Sequence, residues 1–223
     1  MRVGVILAAG ASSRMKRPKA LVKDHGVSFL AQGVRHLWSA CETVVVVLGA
    51  NAASIQRAVE GEFERLVNEG RLMSDLTLAH HHGSDGLEAR FIANTGWRSG
   101  MYGSVRLGLR EAVGLKPESV ILLPVDHPGV KPETVEILAS AMHDALRAYR
   151  RAAPRGGFGY ALVPRYGRRR GHPIALSPAL AKAIAADAEA EDLSDAVRRN
   201  ARLVGYLDVG DPGVLRNRNT PSD

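Results

Sequence analysis

The chain reads as an α/β protein built on a largely parallel central sheet. Two observations carry this reading. Short, nearly continuous apolar runs recur at residues 2–8, 43–48 and 119–125, as strands buried on both faces require. Segments with helical spacing alternate with them from the start. No internal repeat is present and no linker is long enough to separate two domains, so residues 1–223 read as a single domain.

Taken in order, residues 2–8 (RVGVILA) form a buried strand feeding a tight loop of small residues, Ala9 to Ser13. Residues 28–39 carry Phe29, Leu30, Val34, Leu37 and Trp38 at helical spacing. Residues 43–48 (TVVVVL) are a second buried strand, stopped by Gly49, and 52–66 an amphipathic helix. Residues 68–89 hold three successive histidines and are expected to be loop with one short strand near 76–79. A short strand at 90–93, a helix at 102–113 and a third buried strand at 119–125 follow. Residues 132–149 are a long helix with Pro132 at its first position. An Arg/Pro/Gly-rich loop at 150–157 precedes strands at 160–163 and 173–176, which flank a basic turn and suggest a hairpin. Helices at 178–187 and 193–200, a last strand at 202–208 and a polar tail complete the chain.

At 223 residues and 45% hydrophobic, the chain can bury a substantial core without staples. A single cysteine, Cys41, excludes an intramolecular disulfide framework and a cysteine-cluster zinc site. No apolar run approaches the ~20 residues of a membrane span. The stretch 3–9 is too short for a secretory signal, so a cytoplasmic location and no membrane partner are expected. The net charge of +7 is uneven. Residues 1–146 carry 16 Lys/Arg against 15 Asp/Glu, and residues 147–223 carry 14 against 8. Arginine, 24 of the 30 cations, matches phosphate bidentately, so a basic C-terminal third suggests an anionic partner; a solvated surface is the plainer alternative. The arginines lack interleaved aromatics and no binding motif is present, so no nucleic-acid partner is expected.

In sheets of this kind ligands bind outside the carboxyl ends of the strands. That rule points to residues 9–19, the 49–51 turn, the 94–104 segment and Asp126. The most informative stretch is LAAGASSRMKRPK, from Leu7 to Lys19. Small residues let backbone N–H groups approach a phosphate or a base, and Arg14 and Lys19 can neutralise phosphate charge. The stretch is neither a Walker A loop nor a G-x-G-x-x-G dinucleotide fingerprint.

This stretch resembles the signature of the nucleotidyltransferases with a GT-A-like, Rossmann-related fold, and within them the MobA-like group. That group includes molybdenum cofactor cytidylyltransferase and molybdopterin guanylyltransferase. Further segments fit in order: Asn94 to Met101 (NTGWRSGM) with Ser104 following, Leu123 to Pro128 (LPVDHP), Gly171-His172-Pro173, and Asn217 to Asp223 (NRNTPSD). The resemblance implies a three-layer fold, with a nucleotide-binding half over about 1–130 and an acceptor-side half over about 131–223. It also implies transfer of a nucleoside monophosphate from an NTP to an acceptor phosphate, with release of pyrophosphate and a divalent metal, Mg²⁺.

Carried onto this chain, the resemblance makes Asp126 the metal ligand and Asn219 a candidate second ligand, the latter being otherwise a turn residue of the tail. Arg14 and Lys19 match the phosphate-binding cations and, with Asp126, are the expected catalytic residues. The backbone around Leu7, Ala8 and Ala9, continuing through Gly10 and Ser12, matches the segment that reads the base. Guanylyltransferases resemble L-A-G-G and cytidylyltransferases L-A-A-G. The Ala9 methyl narrows the space for a purine, so CTP is favoured. Asn51 and Asn94 match nucleotide-contacting positions, or cap turns. Gly100 to Ser104 open a helix whose N-terminus is an anion site. The turn at 166–173 (YGRRRGHP) is a plausible acceptor wall through Arg169, Arg170 and His172, or a solvated turn. The implied partners are molybdopterin or another phosphate-bearing acceptor and a molybdenum hydroxylase apo-enzyme.

The alternatives are a different phosphate acceptor (a sugar phosphate, phospholactate, or molybdopterin with GTP) and a non-catalytic cofactor delivery factor. Lys16 stands where the family pattern has glycine, which supports the last of these. His80, His81 and His82 do not read as a metal site, because adjacent strand residues face opposite sides.

Overall fold

Every residue of strand β1 (Arg2–Ala8) after the first is buried, the signature of a strand covered on both faces. The computed structural model describes residues 1–10, 17–70, 76–78, 87–152 and 157–219. After β1 come a 3₁₀ turn at Lys19–Leu21, a small ribbon of β2 (Lys23–Asp24) and β3 (Val27–Ser28), and helix α1 (Phe29–Trp38). Then follow β4 (Thr43–Leu48), α2 (Ala52–Asn68), β5 (Leu76–Leu78), β6 (Leu87–Ala93), a 3₁₀ turn at Trp97–Ser99, α3 (Met101–Gly114), β7 (Ser119–Pro124) and α4 (Pro132–Ala152). The remainder is β8 (Tyr160–Tyr166), β9 (Arg169–Arg170), β10 (Ile174–Leu176), α5 (Pro178–Ala186), α6 (Leu193–Asn200), β11 (Leu203–Asp208) and a 3₁₀ turn at Pro212–Leu215.

Among the described residues the main sheet has nine strands, in the order β11-β8-β10-β7-β1-β4-β6-β5, with β9 on β8. All pairings from β7 to β5 are parallel. Alternate residues of β1 enter opposite layers. Ile6 and Ala8 pack with α1, α2 and α4; Val3, Val5 and Leu7 pack with α3, α5 and α6. The fold is therefore a three-layer α/β/α sandwich with a mostly parallel sheet, as expected.

The differences from expectation lie at boundaries. The strand expected at 90–93 begins at Leu87, because pairing with β4 (Thr43↔Glu88) extends a sequence without a continuous apolar run. Helix α4 runs to Ala152 and takes Arg150 and Arg151 out of the expected loop. The expected hairpin is present: β10 pairs antiparallel with β8 and also with β7, so it runs against the sheet. This reversal has a functional consequence. Ile174 lies opposite Leu122, so Gly171-His172, just before β10, sit level with the carboxyl end of β7.

Candidate active site

The carboxyl ends of the parallel strands lie level because their registers do: Leu7 pairs with Pro124, Ala8 with Leu48, and Leu48 with Ala93. Ala9, Gly49, Asn94 and Val125-Asp126 therefore leave the sheet together. The chain also jumps at this point, since β4, β6 and β5 fill one side of β1 and β7 the other, the crevice where open α/β sheets bind ligands. A cleft of about 620 Å³ opens there, within the range of small-molecule sites. Its floor is Leu7, Ala8, Ala9 and Gly10; Lys19 and Asp126 stand on one part of the wall, and Trp97, Gly100, Met101 and Ser104 on another.

The centre of charge is built from three distant segments. Lys19 Nζ donates to Asp126 Oδ2 at 3.2 Å and also to Asn219 Oδ1. The Lys19–Asp126 ion pair is largely sheltered, with side-chain exposures of 19% and 22%. The tail is held by the Arg218 N–H, which donates to the Asp126 carbonyl at 2.7 Å, and the Arg218 guanidinium lies over the Phe29 ring at 5.4 Å. Asp126 and Asn219 thus present a carboxylate and an amide oxygen to one shared ammonium. A carboxylate and an amide oxygen are hard donors of the kind that would hold a divalent metal such as Mg²⁺. Among the described residues no cluster of three His, Cys, Asp or Glu forms a protein-only metal cage.

Behind Asp126 lie two histidines. His127 and His172 rings sit 4.9 Å apart, and His127 Nε2 is 3.9 Å from Asp126 Oδ1. Burial lowers the pKa of both, that of His172 to about 4, so both rings are neutral at physiological pH. His127 was not singled out from the sequence, although it stands beside Asp126. Its partner is 45 residues away and arrives only through the reversed strand β10.

The other expected residues are distributed as follows. Leu7, Ala8, Ala9, Gly10, Lys19, Gly100, Ser104 and Asp126 line the cleft together, and Asn219 joins them through Lys19. Gly100 has φ +116°, which opens α3 toward the cleft. Asn94 sits one bond behind: its Oδ1 accepts from Gly96 N at 2.9 Å and its Nδ2 donates to Ser104 Oγ at 2.8 Å. It braces the entry to α3. Asn51 is exposed at the start of α2, with φ +58° and no side-chain cap bond, and is not part of the cleft lining. Arg170 and His172 line a second cavity, whose lining does not include the exposed Arg169. Ser12, Arg14, Lys16 and the three histidines His80, His81 and His82 lie outside the described residues. Sequence reasoning missed Trp97 and Arg98, which face the cleft with the Arg98 guanidinium 4.4 Å from the Trp97 ring centre. A tryptophan between a strand end and a helix start was the available signal.

The chain is a Rossmann-like α/β sandwich with a charged cleft at the carboxyl ends of its strands. A family model for the MobA-like NTP transferase domain matches residues 4–203, and the chain belongs to that family of nucleotidyltransferases. It is 29% identical over 215 residues to nicotine blue oxidoreductase of Paenarthrobacter nicotinovorans, covering 93% of this chain and 87% of that protein. Among solved structures it is similar to Rv0371c of Mycobacterium tuberculosis H37Rv (TM-score 0.68, 19% identity, 99% of this chain and 94% of that one). Rv0371c has also been solved in complex with manganese (TM-score 0.58, 20% identity, 93% and 88%). A nucleotidyl transferase from Methanothermobacter gives a TM-score of 0.68 at 19% identity, covering 100% and 94%. These structural likenesses show the fold. Among the described residues no helix is long and apolar enough to cross a membrane.

Proposed function

We propose that the chain transfers CMP from CTP to the phosphate of an acceptor such as molybdopterin, with Mg²⁺ bound at Asp126 and Asn219. The observation that carries this reading is the convergence of Lys19, Asp126 and Asn219 on one point of a cleft floored by Leu7, Ala8, Ala9 and Gly10. An ionised acceptor phosphate attacks the α-phosphorus in line; a new P–O bond forms, the bond to the β-phosphate breaks, and pyrophosphate leaves. No general base is required, because the nucleophile carries no proton to remove. Lys19, with Arg14, neutralises the triphosphate and the departing pyrophosphate. The floor backbone reads the base, and the Ala9 methyl disfavours a purine. A bound Mg²⁺ supplies charge neutralisation at the phosphates. In this reading residues 1–130 hold the nucleotide and residues 131–223 the acceptor.

The likeness to nicotine blue oxidoreductase supports a second reading, in which the same cleft holds the nucleotide end of a redox dinucleotide. One experiment separates them. Calorimetric titration with CTP, GTP, ATP, UTP and NADPH, with and without Mg²⁺, is expected to give Mg²⁺-dependent binding selective for CTP. Asp126→Ala is expected to weaken that binding and to lower turnover on the order of 10²–10³-fold while leaving the fold intact. A preference for GTP overturns the base assignment, NADPH binding without CTP binding favours the redox reading, and Mg²⁺-dependent turnover retained in Asp126→Ala overturns the metal assignment.

A further inference from the structure

The main sheet ends on β11, and among the described residues no strand pairs with its outer edge. Natural sheets blunt such an edge with short strands, lysine or proline. The opposite edge strand, β5, follows this rule with three residues, Leu76–Leu78. β11 does not: it runs six residues, LVGYLD, without lysine or proline. Large apolar side chains stand in water around it. Leu203, Tyr206 and, at the end of neighbouring β8, Tyr166 are exposed. The backbone groups that face outward follow from those that face β8. Leu203 N donates to the Gly159 carbonyl at 3.2 Å, a carbonyl shared with Arg202 N, and Val209 N donates to the Arg165 carbonyl at 2.9 Å. Successive amides of a strand point to opposite sides, so those of Val204, Tyr206 and Asp208 face away from β8.

We propose that β11 pairs antiparallel with β11 of a second copy of this chain, about a two-fold axis through Gly205, joining the two sheets into one. In that register the strand is complementary to its own reverse. Leu203 lies opposite the second copy's Leu207, Val204 opposite its Tyr206, and Arg202 opposite its Asp208. Apart from the glycines on the axis, every facing pair is apolar, aromatic or of opposite charge, the pairs that stabilise an antiparallel ladder. Arg202 and Asp208 are both exposed. Asp208 Oδ2 accepts from Arg165 at 2.9 Å, and its exposed carboxylate can accept from a second donor. The free backbone groups fit the same register. An axis through Gly205 pairs even-numbered positions with even-numbered ones, so the outward N–H and C=O groups of Val204 and Tyr206 bond those of the second copy. An axis through Val204 or Tyr206 keeps these bonds possible but lays Arg202 against Tyr206, or Asp208 against Val204. At Gly205 the space of a side chain is filled by Tyr160, whose hydroxyl would lie 2.0 Å from a Cβ there. A two-fold contact is closed, so it gives a dimer and not a filament.

The test is sedimentation velocity of the full chain, without nucleotide, over a wide range of concentrations. The wild-type protein is expected to pass from one chain to two as concentration rises. Tyr206→Pro removes an outward N–H while leaving the bonds to β8 in place, and is expected to weaken association about ten-fold or more. Arg202→Glu and Asp208→Lys each set like charges opposite one another at both ends of the ladder, and each is expected to weaken association about ten-fold. The double variant Arg202→Glu/Asp208→Lys restores opposite charges and is expected to return to within about three-fold of the wild type. Both charge changes fall at exposed positions and keep the test sound should the proline impair folding. A wild-type chain that stays monomeric, undiminished association in Tyr206→Pro, or a double variant no tighter than the single ones overturns the proposal. Nucleotide binding does not enter these readings, so the proposal stands or falls apart from the CTP assignment.

Discussion

Gly49, the residue after β4, shows how single positions shape the cleft. A Cβ there would lie 2.2 Å from the Ala9 carbonyl oxygen and 2.8 Å from the Trp97 Cβ. The first of these is backbone and the second a side-chain root, so neither can swing aside. Gly49→Ala must therefore push the cleft floor away from its wall, at a cost of about 1–3 kcal/mol. A lower urea midpoint is expected together with weaker CTP binding; an unchanged midpoint and affinity would show that this turn does not space the cleft. At this scale much of the site was legible. Lys19, Asp126 and the small-residue floor stand out because their chemistry and their place at strand ends are both written locally. His127 and Trp97 did not stand out, since each acquires its role from a neighbour supplied by another part of the chain.

Ser177 illustrates the scale of the element. It caps α5, with Leu180 N donating to its Oγ at 3.2 Å, and it also ties that helix to β8. Tyr160 N donates to the same Oγ at 3.0 Å, and the hydroxyl donates to the Phe158 carbonyl. Ser177 is 1% exposed, so water cannot take over these bonds. Ser177→Ala is expected to destabilise the protein by about 2–3 kcal/mol, the sum of a lost cap and buried groups left unpaired. Urea unfolding measures it, and a loss below about 0.5 kcal/mol would contradict the assigned role. The helix itself was legible from Pro178 and its apolar spacing. The lengthening of β6 to Leu87 was not, because ladder bonds to β4 replace the apolar run that usually marks a buried strand.

At the scale of the whole molecule, a half-buried histidine couples stability to pH. His36 on α1 has a pKa lowered to about 4, first by burial and then by Arg35, against the opposing pull of Glu133 and Asp211. An unfolded chain takes up this proton near pH 6.5, whereas the folded one resists until about pH 4. Between these values the unfolded state binds more protons, so stability falls as pH falls. The contribution is fully present above about pH 6.5, is lost progressively down to about pH 4, and amounts to about 3 kcal/mol. Urea midpoints from pH 7 to pH 4 are expected to drop, and His36→Gln to flatten the slope in that window. An equal slope in the variant would remove His36 as the cause.

The sequence by itself determined the α/β class, the strand and helix order, and the strand ends at which a nucleotide site is expected. These follow from periodicity, from buried runs and from motifs contained within a few residues. Only the tertiary structure decided which partners those residues have. It brought Asn219 to Lys19 across 200 positions and set Arg170 and His172 in a second cavity. It also joined Asn94 to Ser104 across the start of α3. The physical reason is register. A local pattern specifies which face a strand buries, but the pairing of distant strands fixes which side chains end level with one another, and one reversed strand is enough to place His172 beside His127.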